Sequence, residues 1–97
     1  MIFTNVVDYI KVIVNEYLSP GNVVLIAGIP PKEMKGILEF ISCNYVIIDK
    51  TKSTDETIVV DRYLPFEDHS IDLIFDFNNL IDFGNVLKKG GKKFCLV

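Results

Sequence analysis

Short, unbroken apolar runs set between segments of helical period constrain this chain more than any other feature of its sequence. Residues 22–27 form such a run between Pro20-Gly21 and Gly28, and a continuous rather than alternating run marks a strand buried on both faces. Residues 45–49 repeat the pattern, 57–60 and 71–77 follow it, and 92–97 supply a fifth strand entered through Gly90-Gly91. Ahead of the first run, Asn5 stands three residues before Asp8 in a capping arrangement. Val7, Ile10, Val14, Tyr17 and Leu18 then keep helical spacing until Ser19-Pro20-Gly21 stops it. The many β-branched residues of this segment leave a strand open as the local alternative. After Gly28-Ile29-Pro30, Pro31 suits the first position of a second helix with the stripe Met34, Ile37, Leu38 and Ile41. A third, short helix is expected over 80–88, with loops over 50–56 and 62–70. No hairpin turn joins the runs, so the order predicts one α/β domain over residues 1–97, a parallel sheet with helices on both faces.

Length and composition set outer limits. A chain of 97 residues buries about 60–65% of the surface its unfolded form exposes, enough for one core and no second domain. With 49% hydrophobic residues and a net charge of −3, it is neither disordered nor marked by the basic footprint of a nucleic-acid binder. The start, Met1-Ile2-Phe3-Thr4, lacks a basic signal-peptide opening and no apolar run approaches a membrane span, so the expected location is cytoplasmic with no membrane partner. Cys43, Cys95 and the single His69 are too few for a disulfide framework or a metal cluster.

In an open parallel sheet, ligands bind beyond the carboxyl ends of the strands, where strand order reverses. Gly28, Asp49, Asp61 and Asp76 stand at those ends. Asp49 follows Gly28 by close to the ~20-residue interval at which a carboxylate meets a ribose hydroxyl pair in nucleotide-binding sheets, a task that suits a group able to accept two hydrogen bonds. The plainer reading, that acids cap strand ends and turns, carries more weight for Asp49 taken alone. Gly28-Ile29-Pro30-Pro31 offers one glycine and two residues without an N–H, which excludes pyrophosphate cradling; no Gly-Lys-Ser/Thr follows for a Walker loop. The surviving possibility is a nucleoside carrying little or no phosphate.

Leu64-Pro65-Phe66-Glu67-Asp68-His69-Ser70-Ile71-Asp72-Leu73-Ile74 resembles the "LPF-x-D-x-S-F-D-L-V" segment of class I S-adenosylmethionine-dependent methyltransferases. Val86-Leu87-Lys88-Lys89-Gly90-Gly91-Lys92-Lys93-Phe94 resembles that family's "V-L-K-P-G-G" turn into strand five. The two segments stand in family order, and the layout of the remaining chain is similar. The resemblance implies a Rossmann-like sheet of five strands in order 3-2-1-4-5 and S-adenosylmethionine as cofactor. It implies that Gly28 adjoins the cofactor's amino-acid part, Asp49 the ribose, and Asp61 with Arg62 the adenine, while residues 76–79, Asp76 included, face the methyl-transfer side. Against the family pattern, Ile29 and the two prolines replace a G-x-G-x-G turn, and the chain stops at Val97 where the family continues. The expected function is therefore a minimal or degenerate methyltransferase with weak or absent catalysis; the alternative is a non-catalytic homodimeric scaffold that binds no cofactor.

The remaining polar features carry plainer readings. His69 is expected as a loop residue rather than a general base, Cys43 and Cys95 as core filler, and Lys88, Lys89, Lys92 and Lys93 as a solvated helix end and turn. Phe66, Phe75, Phe77 and Phe83 are expected mostly in the core, with Phe77 also able to line a pocket. Strand five would be an apolar edge with unpaired backbone groups, so self-association covering strand five or the helices beside it is expected.

Overall fold

The first helix forms where the cap residue lies: the Asn5 side chain accepts a hydrogen bond from the Asp8 amide at 3.0 Å, and α1 runs Val6–Tyr17. A computed structural model of the chain describes residues 5–52, 54–61 and 64–96. After α1 come β1 (Val23–Ala27), α2 (Glu33–Phe40), β2 (Asn44–Asp49), β3 (Ile58–Val59), β4 (Ile71–Asp76) and β5 (Leu87–Cys95). All pairings are parallel, and the five strands lie in order 3-2-1-4-5. Strand order therefore reverses between β1 and β4, beside Gly28.

Proline sets the approach to α2 rather than its first turn. Pro31 accepts from the Met34 amide at 3.1 Å, and the helix begins two residues later, at Glu33. The helix ends in a Schellman arrangement: the Cys43 amide donates to the Leu38 carbonyl at 3.0 Å and Ser42 to Glu39 at 3.0 Å. Ser42 takes the left-handed conformation (φ 60°) that glycine usually supplies there.

Strand alternation divides the core in two. Val24, Ile26, Ile47, Leu73 and Phe75 pack with Ile10, Ile13 and Val14 of α1 and Met34 and Leu38 of α2. Both helices thus cover one face, and Phe94 of β5 extends it, 5.4 Å from the Tyr17 ring and 6.3 Å from Phe75. The other face, with Leu25, Ala27, Ile48, Ile71 and Ile74, packs against Val60, Leu64, Phe66, Ile81, Phe83 and Val86. These residues belong to loops. The expectation of helices on both faces is corrected accordingly, because the helix expected over 80–88 does not form. Asp82 Oδ1 accepts from the Gly84 amide at 2.9 Å, Gly84 sits at φ 56° and Asn79 at φ 53°, and each of these turns the backbone out of a right-handed helix.

Residues 87 and 88, the expected end of that helix, instead begin β5. Ile71 pairs with Leu87 and Leu73 with Lys92, so β5 carries extra residues in a bulge. Gly90-Gly91 lies inside the strand, not ahead of it. Gly90 has φ 84°, and a Cβ on Gly91 would lie 2.9 Å from the Lys88 carbonyl oxygen and 3.0 Å from that of Asp72. Asp72 braces the same region: its Oδ2 accepts from the Val23 amide at 2.7 Å and its Oδ1 lies 3.2 Å from Lys88 Nζ.

A surface strap ties the 50–57 loop to α2 and β2. Glu56 accepts from Lys35 Nζ at 2.8 Å and from the Tyr45 hydroxyl at 3.0 Å. These two bonds, Lys35 first, hold the Glu56 carboxyl below its ordinary range. The same carboxylate raises Lys35, while burial and then the bond to Glu56 raise Tyr45. The strap therefore stabilises the fold above the ordinary glutamate range and weakens as pH falls through the lowered Glu56 value; at the alkaline end it fades as Tyr45 and Lys35 lose their protons. Wild type should melt above Glu56→Gln at about pH 7, and thermal melts should show the gap closing as pH falls below the ordinary glutamate range.

Candidate functional site

The strand ends place Gly28, Asp49 and Asp76 along one edge of the sheet. Gly28 extends the β1 ladder, its amide donating to the Ile48 carbonyl at 2.9 Å, and it turns the chain at φ 102°. A Cβ there would meet Phe77 Cβ at 3.1 Å and the Asn78 side chain at 3.4 Å, so only glycine lets the end of β4 come this close.

Asn78 is the residue that sequence reasoning underweighted. Its Nδ2 donates to Asp49 Oδ1 at 3.0 Å, reaching from the end of β4 past Gly28 to the end of β2. The same carboxylate oxygen accepts from the Lys50 amide at 2.7 Å, and Asp49 is 9% exposed. The resemblance sets Asn78 within residues 76–79 at the end of strand four, toward the methyl-transfer side. Nothing in its spacing announces a bond across the sheet, because the contact depends on strand order and on the missing Cβ of Gly28.

Asp76 takes a structural post. It is 1% exposed, and its Oδ1 accepts from the amides of Asn78 at 3.2 Å and Asn79 at 2.8 Å, an Asx turn that aims Asn78 toward Asp49. Asp61 is exposed. It lines a cavity of ≈ 300 Å³ with Lys50, Leu64, Leu80, Ile81 and Asp82, between the ends of β2 and β3 and the loop after β4. That volume is at the lower end for small-molecule sites. Arg62 lies outside the described residues. A larger cavity of ≈ 530 Å³ lies away from this edge, between α1 and α2.

His69 and Cys43 are both held in hydrogen bonds to backbone carbonyls. His69 sits in the left-handed region (φ 58°) with Nδ1 3.0 Å from the Leu87 carbonyl, a geometry that requires the proton on Nδ1 and pins the turn before β4 to the start of β5. The Cys43 thiol donates to the Ser19 carbonyl at 3.3 Å, and burial pushes its pKa up, away from a reactive thiolate. Cys95 is exposed rather than core filler. Among the described residues no group of His, Cys, Asp or Glu could hold a metal ion, and no helix is long and apolar enough to cross a membrane.

The donor set suits one part of S-adenosylmethionine and not another. Asp49 is a carboxylate at a strand end, and the neighbouring cavity combines Leu64, Leu80 and Ile81 with Lys50 and the carboxylates of Asp61 and Asp82. The turn that would meet the amino-acid end is Ile29-Pro30-Pro31, with Ile29 66% exposed and neither proline offering an N–H.

No family model and no curated protein matches the chain. Solved structures do. One is a candidate S-adenosyl-L-methionine-dependent methyltransferase from Methanococcus maripaludis, matched over 90% of this chain and 52% of the other at 17% identity and a TM-score of 0.55. Another is the candidate methyltransferase in a complex with the Haloferax volcanii Trm112 methyltransferase activator, matched over 91% and 55% at 17% identity and a TM-score of 0.62. The chain spans about half the length of these structures. With the sheet order 3-2-1-4-5, the likeness establishes a Rossmann-like, class I methyltransferase-like fold.

Proposed function

We propose that this chain is a degenerate methyltransferase-fold protein that retains recognition of the nucleoside half of S-adenosylmethionine or its demethylated product, with weak or absent methyl transfer. The observation that carries the reading is the cavity beside Lys50, the residue that follows Asp49, at the carboxyl ends of β2 and β3. Asp49 would accept the ribose hydroxyls, the apolar walls of Leu64, Leu80 and Ile81 would flank the base, and Asp61 would accept from its exocyclic amine. S-adenosylmethionine supplies an activated methyl group when bound. The Ile29-Pro30-Pro31 turn lacks the backbone donors to fix the amino-acid end, which weakens both affinity and positioning.

The Asn78 amide already fills one hydrogen-bonding position on Asp49, so a ligand hydroxyl must displace it. That bond also favours the second reading, a scaffold whose ancestral crevice is closed by its own side chain. Calorimetric titration with S-adenosylhomocysteine separates the two. Micromolar to sub-millimolar binding that Asp49→Ala abolishes supports nucleoside recognition; no heat at millimolar ligand supports the scaffold.

A further inference from the structure

We infer that the exposed face of α2 is the contact between two copies of this chain, with Phe40 of each copy set against Gly36 of the other. Phe40 is 89% exposed, although it ends a helix whose Met34 and Leu38 are fully buried. Gly36, one turn earlier, has nothing within 4 Å of where a Cβ would stand. Both residues line the groove of ≈ 530 Å³ between the helices, together with Val14, Ile37 and Ile41. A projecting ring and an empty position thus stand on one face of one helix, about 6 Å apart along its axis.

This arrangement is self-complementary. A two-fold operation that lays α2 antiparallel on its copy brings residue 36 opposite residue 40 twice, so one geometry fills both vacancies and covers both rings. Glycine at the crossing lets the helix backbones approach closely. Charge permits the pairing: the groove holds one cation, Lys11, and one anion, Glu33, so two such faces meet without net repulsion although each chain carries −3. A stable contact needs about 800 Å² per partner, roughly an eighth of the 6157 Å² that the chain exposes.

The competing surface is the edge of β5, and its side chains oppose self-pairing. Lys92 Nζ lies 5.8 Å from the Tyr17 ring centroid, and Lys93 Nζ lies 5.5 Å from that of Phe83, so both sides of this edge end in cations. With Lys89 also at the bulge, two such edges brought together would repel.

Light scattering coupled to size exclusion, at tens of micromolar, tests the inference. Wild type should run at twice the chain mass. Phe40→Asp should weaken the dimer roughly tenfold or more, with an unchanged circular dichroism spectrum since the ring is solvent-exposed. Gly36→Gln should weaken it similarly while raising the melting temperature at low protein concentration, because it replaces a helical glycine; this separates lost association from lost folding. Lys93→Glu should leave the dimer intact. A monomeric wild type, or a dimer that persists in both α2 variants, overturns the inference.

Discussion

Asp76→Ala should cost about 3 kcal/mol of stability in chemical denaturation, one of the two largest effects expected for a polar or glycine position in this chain. The carboxylate is 1% exposed and satisfies two backbone amides, those of Asn78 and Asn79. Truncation leaves both part-buried donors without that acceptor. Each unmet buried donor costs about 1–3 kcal/mol, and the Asn78 to Asp49 bond goes with the turn that aims it. Asp76→Asn keeps an acceptor at the same position and should lose about 1 kcal/mol. Equal losses for the two substitutions would show that the charge, not the turn, is what Asp76 contributes.

Gly91→Ala should cost about 2–3 kcal/mol, because the added Cβ falls 2.9 Å and 3.0 Å from two carbonyl oxygens and 3.0 Å from Leu87 Cδ2. Two of the three neighbours are backbone, so relief requires moving the bulge or the start of β4. Hydrogen exchange should report the damage locally: the Leu96 amide, bonded to the Asp76 carbonyl at 2.8 Å, should lose protection before the amides of β1 and β2. Gly36→Ala provides the contrast. Nothing stands in its way, so helix propensity should raise stability by about 1 kcal/mol. Destabilisation by both substitutions would contradict this division of the glycines into required and dispensable.

The glycines also mark how far the sequence could be read. Two helices and the positions of β1 to β4 were legible because their signals are local: short apolar runs, an Asn cap, and the stripe of Met34, Ile37 and Leu38; β5 was legible only in its second half. The third helix was misplaced because Leu80, Ile81 and Phe83 are spaced for a helix. What decides that segment is the Asp82 side chain bonding to Gly84, together with the pairing of Leu87 with Ile71 across the sheet. The bulge in β5 was visible only as a Gly-Gly pair. Its crowding against Asp72 arises from a strand distant in sequence.

The site followed the same pattern. Acids at strand ends were legible from the apolar runs that precede them, and the structure places Gly28, Asp49 and Asp76 on one edge as the topology requires. Their division of labour was not legible. Asp76 is spent on a turn, Asp61 stands at a cavity wall, and Asp49 is held by Asn78, an assignment fixed by the 3.0 Å bond across β1 and by no motif. The α1–α2 groove was missed for a related reason: Phe40 reads as one more apolar residue until the helix face shows it turned to solvent.

The central claim, that a nucleoside site persists around Asp49 with Asn78 competing for it, is tested most directly by titrating S-adenosylhomocysteine into wild type, Asp49→Ala and Asn78→Ala. The account predicts measurable binding by wild type, loss of binding with Asp49→Ala, and about three- to tenfold tighter binding with Asn78→Ala, the amide being worth roughly a hydrogen bond to a charged acceptor less the order it brings. No heat from wild type or Asn78→Ala at millimolar ligand, in proteins that melt cooperatively, would contradict it.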